Sequence, residues 1–239
     1  MSISIHSAIT VPEGDGVTVK RLMPVGGLRN FDPFVLWDHF DISGGGFPNH
    51  PHRGFEAITY LFDGGMNHAD NLDNIGTILA GGAQRFTAGR GIVHSEFPEG
   101  RAHGIQLWIN LARSMKSLPP AYSQVEADEI PEVTESGVTI RTIVGDGGAI
   151  ALHTNVEYLE IRMKADAKLQ RALPFDFRGF IYAVEGNANV NGKVLNSGEA
   201  ALIEDESHIE LTSEESARLM WCFGRPHHEP IHQHGPFVD

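Results

Sequence analysis

Between Ile105 and Leu111 aliphatic side chains alternate with Gln106, Trp108 and Asn110. A period of two fits a half-buried strand and no helix. Similar segments recur along the chain: Val17–Leu22, Ile58–Phe62, Val138–Val144 and Tyr158–Met163, with the shorter Arg85–Thr87 and Ile92–His94 on either side of Gly89-Arg90-Gly91. Asp32–Phe40 is an apolar run too short for a helix, and no segment sustains a helical period. Asn191-Gly192, between Asn189-Val190 and Lys193-Val194, marks a tight hairpin because both residues tolerate positive φ. The 27 glycines and 13 prolines are spread along the chain, as many short strands joined by turns require. The expected fold class is all-β.

Ile58–Gly64 and Phe180–Gly186 share one pattern, an aromatic and aliphatic strand closing on an acidic residue and glycine. A repeat of this kind predicts two related β-barrels. Asp63-Gly64-Gly65 reads as a turn, residues 66–84 as loop, and residues 112–135 as an acidic surface linker. The expected division is therefore residues 1–135, residues 136–225, and a tail, 226–239, docking back on the first barrel.

Within that scaffold one stretch carries chemistry. Asn49-His50-Pro51-His52-Arg53-Gly54-Phe55-Glu56 places two histidines two apart, and on a strand both would face one side with Cβ atoms roughly 6–7 Å apart. With 13 histidines in the chain such a pair arises about once by chance, and His232-Gln233-His234 is another. The context sets the first apart: it lies between Gly44-Gly45-Gly46 and a strand, and His94-Ser95-Glu96 repeats the spacing. Paired across a barrel, His50, His52, His94 and Glu96 would offer three imidazoles and a carboxylate to one divalent transition metal. Iron, manganese, cobalt, nickel, copper and zinc all suit that donor set. Four-coordinate zinc would be closed and structural, whereas octahedral Fe(II) would keep two positions open.

Other residues have less specific readings. In an unbroken strand Glu56 would share a face with His52, as a ligand or as a partner behind the ligands. His103 reads as a hydrogen-bonded histidine at the start of its strand, or as one lining the pocket. His39 and His68 read as loop residues. His208-Ile209-Glu210 could match His94-Ser95-Glu96, but no histidine pair accompanies it, so the second barrel reads as metal-free. The single cysteine, Cys222, lies in an apolar run and reads as an inert buried thiol in a reducing, cytoplasmic setting. A formal charge of −13 argues against direct nucleic-acid binding, and no secretory signal or membrane helix is visible.

Several long stretches, in order, resemble the pirin family of the cupin superfamily: His50–Glu56, Thr87–Glu96, His103–Leu111 and His234–Val238, with Asp32-Pro33-Phe34 and Asp38. The resemblance runs through most of residues 17–135 and returns at the tail. It implies a bicupin of two antiparallel double-stranded β-helix (jelly-roll) barrels, with metal only in the first. Carried over by position, the ligands fall on His50, His52, His94 and Glu96, the carboxylate ligand being Glu96, with Glu56 behind them and Fe(II) as the metal. It also implies quercetinase-type dioxygenase activity on a flavonol or similar small aromatic, with O₂ as co-substrate; on that reading Glu96 would be the catalytic base, either as a ligand that detaches or from behind the ligands. The alternative is a non-catalytic, redox-sensitive iron protein acting through protein partners. Either is expected as a monomer. Two departures stand out: the chain ends soon after Gly235-Pro236-Phe237-Val238, where pirins often continue, and Gly81–Phe86 lacks a tryptophan expected near the pocket.

Overall fold

The computed structural model describes residues 2–239, with side chains from Ile3 onward. Strands dominate; the described residues contain two single-turn 3₁₀ helices and no α-helix. None of their helices is long and apolar enough to cross a membrane. The chain divides into two compact units.

One unit comprises Ile9–Glu129 and His227–Asp239. Its nine-stranded sheet has two long strands at its centre, Phe55–Asp70 and Ile92–Asn110. Phe34–Ile42, Val17–Met23 and Ile9–Glu13 follow on one side, with Ala83–Thr87 and Ala121–Val125 on the other. Phe47–His52 adds to the first part of Ile92–Asn110, and Ile75–Leu79 to the last part of Phe55–Asp70. All these pairings are antiparallel.

The other unit joins the N-terminal stretch up to Ala8 to Ile130–Pro226. A seven-stranded sheet runs from Ser2–Ser7 to Glu132–Glu135, and a four-stranded sheet contains Lys168–Ala172, His208–Thr212 and the Asn191-Gly192 hairpin. Asn191 and Gly192 have φ of +47° and +83°, the left-handed pair that a two-residue hairpin needs. Trp221, Phe223, Ile181 and Leu219 centre its core. Cys222 is fully buried, and burial drives its thiol well above the usual range. His208 and Glu210 are exposed on either side of buried Ile209, so they face away from that core.

Three expectations need correction. The first strand belongs with the second half: Ser2–Ser7 pairs along Glu199–Glu204, and the division falls at Glu129/Ile130 rather than at 135. Residues 112–135 are not a linker, since Ala121–Val125 pairs with Ala83–Thr87; their acidic composition reports an exposed face, not an unstructured one. Residues 66–84 are not loop, and Asp63-Gly64-Gly65 does not turn the chain. Phe55–Asp70 runs straight through it, with register shifts at Leu61/Asp63 and Gly64/Met66. Such bulges let one strand bend from one leaf of a barrel to the next.

The repeat has a backbone cause. Gly64 sits at φ +76° with no room for a Cβ against the Arg101 carbonyl, and Gly186 sits at φ +70° against the Ser216 carbonyl. Each follows a register shift, between Leu61 and Asp63 or between Ala183 and Glu185. Gly64→Ala and Gly186→Ala should each lower stability by about 2–4 kcal/mol through strain plus displaced backbone. Gly192→Ala, with positive φ but open space, should cost only about 1 kcal/mol. Denaturant unfolding of the three variants checks the ranking.

Candidate metal centre

The register of three strands assembles the candidate residues. On one side of Ile92–Asn110, His50 pairs with His94 and Phe47 with Glu96. On its other side, His68 pairs with Glu96 and Asp70 with His94. Directly paired residues share a face, so two neighbouring strands deliver side chains into the space that His94 and Glu96 occupy.

His50, His52 and His94 each offer a donor nitrogen, all within 4.8 Å of one another. The Nε2 atoms of His94 and His50 are 3.1 Å apart. First-row divalent ions bind imidazole nitrogen at about 2.0–2.1 Å, which puts adjacent donors about 3 Å apart. The donor set therefore fits one transition metal.

Two of these rings are oriented by carbonyls. His50 Nδ1 donates to Pro48 O at 2.8 Å and His52 Nδ1 to Pro236 O at 3.3 Å. A carbonyl only accepts, so the proton is on Nδ1 and the Nε2 lone pair is left for a metal. Pro236 lies on the C-terminal hairpin, which is pinned beside the ligand segment. Lys116 Nζ donates to the carbonyls of Val238 (2.7 Å) and Gly54 (3.0 Å), and Arg53 pairs with Asp239 at 2.9 Å. Burial lowers the Lys116 ammonium to about 8.

The surroundings are apolar. His52 stacks on Phe86 with ring centroids 5.6 Å apart and meets the edge of Trp108 at 4.8 Å, and Phe86 reaches His94 at 4.6 Å. Burial penalises the imidazolium, taking His52 down to about 3 and His94 well below its ordinary value; His50 is lowered too. Neutral imidazole is the form that binds metal.

Glu96 is not in one cluster with all three histidines. It groups instead with His94 and His68 within 4.8 Å, so His94 is shared between two overlapping sets. Hydrogen bonds hold its carboxylate there: the Gln84 amide donates to Oε1, Thr59 Oγ1 to the same oxygen at 3.2 Å, and Gln106 Nε2 to Oε2 at 3.4 Å. Burial nevertheless dominates and pushes its carboxyl up to about 7.

Glu56 does not reach this site. Gly54, at φ +88°, breaks the strand between His52 and Phe55, so counting by two across the break fails. Glu56 lies on the face opposite Ala57 and Thr59, accepts from Thr87 Oγ1 at 3.0 Å and sits 3.8 Å from Arg85. His103 lies within its strand rather than at the start, on the face opposite Gln106, with its Nε2 2.8 Å from that of His39. His39 is itself a buried strand residue, lowered to about 3 by burial. Among the described residues the tail histidines join neither ligand group.

The important omission from the sequence reading is His68. It is a strand residue only 1% exposed, with its ring stacked on Tyr122 at 4.1 Å and 15°. His68-Ala69-Asp70 repeats the two-apart spacing of His50/His52 and His94/Glu96, a signal hidden by reading 66–84 as loop. Tyr122 came from the supposed linker; its hydroxyl is 3.1 Å from Gln84 Oε1, which ties it to the Glu96 network.

A cavity of about 480 Å³ opens onto the cluster. His50, His52 and Glu96 line one part, and Leu36, Phe40, Phe47, Met66 and Trp108 give apolar walls. Across it Arg21 grips Asp38 with two bonds of 2.8 and 2.6 Å. Burial still lifts the Asp38 carboxyl to about 6.

The Pirin family profile matches residues 16–109, and that of the Pirin C-terminal cupin domain matches residues 158–239. Human pirin is 38% identical over 240 residues, covering 95% of this chain and 83% of its own. Among solved structures, quercetin 2,3-dioxygenase from Acinetobacter baumannii superposes with a TM-score of 0.91 at 28% identity, covering 98% of this chain and 90% of that one. Bacterial pirin YhhW from Escherichia coli, in complex with nickel(II), shares the fold at TM-score 0.79 and 22% identity, over 94% of this chain and 99% of that one. Both halves are thus cupin domains, and the chain belongs to the pirin family.

Proposed function

We propose that this protein is a metal-dependent dioxygenase that cleaves a flavonol or a similar small hydroxylated aromatic with O₂. The observation that carries this reading is the cavity of about 480 Å³ opening directly onto a three-histidine cluster with a buried carboxylate beside it. A structural metal site needs no such opening. The relatives support the same direction, since the Acinetobacter baumannii neighbour is a quercetin 2,3-dioxygenase.

His50, His52 and His94 would hold the ion, Fe(II) by preference, with Glu96 as the fourth donor. A bound ion of this kind supplies Lewis acidity toward an aromatic hydroxyl and the one-electron chemistry that O₂ requires. Phe47, Met66 and Trp108 would sandwich the ring system and exclude water. Glu96 would leave the ion to take the hydroxyl proton of the substrate, and burial in this apolar site favours the protonated carboxyl once it is off the metal. Gln84, Thr59 and Gln106 would keep the carboxylate aimed while it exchanges that proton.

The direct test is anaerobic reconstitution with Fe(II), then quercetin and air, following loss of flavonol absorbance. His50→Ala should lose both metal and turnover. Glu96→Gln should retain measurable metal and lose at least about 10²-fold in turnover, the usual share of a general base. Flavonol left intact with every first-row metal would instead favour the regulatory reading.

The raised Glu96 carboxyl has a second consequence. At pH 6 it is largely protonated in the metal-free protein while the buried imidazoles are neutral. Metal binding at that pH should release about one proton per ion, and Glu96→Gln should remove that release. Calorimetry in buffers of different ionisation enthalpy reads the number.

A further inference from the structure

His50 and His52 are oriented by backbone carbonyls, whereas His94 meets a different partner. Its Nδ1 is 3.4 Å from Nδ1 of His68. Nε2 of His68 lies 3.3 Å from Asp70 Oδ2. Asp70 is fixed in turn by the backbone N–H groups of Leu72 (2.8 Å) and Asn74 (3.1 Å) and by the Asn74 amide at 3.1 and 2.9 Å. The side chains of His68 and Asp70 are both fully buried.

The protons along this row follow from what each group can do. A carboxylate only accepts, so Nε2 of His68 carries the proton that faces Asp70. Neutral His68 then has a lone pair on Nδ1, and His94 must present Nδ1–H to it. The lone pair of His94 is thereby left on Nε2, the atom facing His50 at 3.1 Å. Without His68, a buried N–H on His94 would be orphaned, and nothing would choose between its two tautomers.

We infer that Asp70 and His68 are positioning residues that lock the tautomer of His94 and so present its Nε2 as a metal donor. Tyr122 holds the lock in place, stacking on His68 while its hydroxyl reaches Gln84. This inference rests on the metal reading of the preceding section.

The test uses the full-length apoprotein and Co(II), with affinity measured by competition against a chromophoric chelator and ions per chain by elemental analysis. Wild type should take up one Co(II). Asp70→Asn points an amide N–H at His68 Nε2, inverts both tautomers, and should weaken Co(II) about 10–100-fold, the usual cost of losing a partner behind a metal-bound histidine. His68→Phe should fall in the same range. His68→Gln, whose Oε1 can accept from His94 Nδ1–H, should recover part of the loss. Thr77→Val removes the bond from Thr77 Oγ1 to Asn67 Oδ1 (2.6 Å) that braces the same hairpin, touches neither Asp70 nor His68, and should bind as wild type does.

Asp70→Asn and His68→Phe that bind Co(II) as tightly as wild type would overturn the lock. So would a Thr77→Val loss as large as that of Asp70→Asn, which would make the effect one of hairpin stability. Two Co(II) per wild-type chain, the second lost in His68→Phe, would make His68 a ligand instead. Wild type that takes up no Co(II) would remove the metal reading itself, a result distinct from all of these.

Discussion

The centre depends on keeping three imidazoles neutral and close together where burial strips much of their water. Charged rings at ring-centroid separations of 4.5–4.9 Å would repel strongly in the apolar setting of Phe55, Phe86 and Trp108. The same setting that disfavours imidazolium leaves lone pairs of His50 and His94 facing each other at 3.1 Å, the arrangement a cation would satisfy. Burial also acts in reverse on the one carboxylate, Glu96, which becomes easier to protonate. Histidines pushed down and a glutamate pushed up beside them form a pair of opposed shifts typical of functional sites.

Neutrality alone does not aim a ring. Each histidine needs its second nitrogen occupied, and three different elements provide this: Pro48 in the same strand, Pro236 in the C-terminal hairpin, and His68 on the neighbouring long strand. That gives the tail a physical role. Lys116, with three acceptors around its ammonium, and the Arg53–Asp239 pair hold the hairpin where its carbonyl meets His52. Long strands that continue through bulges serve the same end, since Phe55–Asp70 carries Thr59 and His68 to the same carboxylate from different leaves of the barrel.

Much of this was legible in the residues. Period-two alternation gave strands because no other regular structure exposes every second side chain. The Asn191-Gly192 hairpin was readable because it rests on local φ values that few residues adopt. What failed, failed for physical reasons. Asp63-Gly64-Gly65 has turn composition, yet glycine serves a bulge as well as a turn. Acidic residues 112–135 looked like a linker because composition reports exposure and says nothing of backbone pairing.

The sequence by itself determined which side chains could share a face: His50 with His52, His94 with Glu96, and His68 with Asp70. That is a property of a strand's two-residue period and holds in any fold. Tertiary structure alone decided which of these pairs meet. It set His50 opposite His94 and His68 opposite Glu96, and it brought Tyr122 and Pro236 in from distant segments. It also turned Glu56 away, because one left-handed glycine at position 54 breaks the alternation. Register between strands is fixed by the packing of whole faces, and no single segment carries that information.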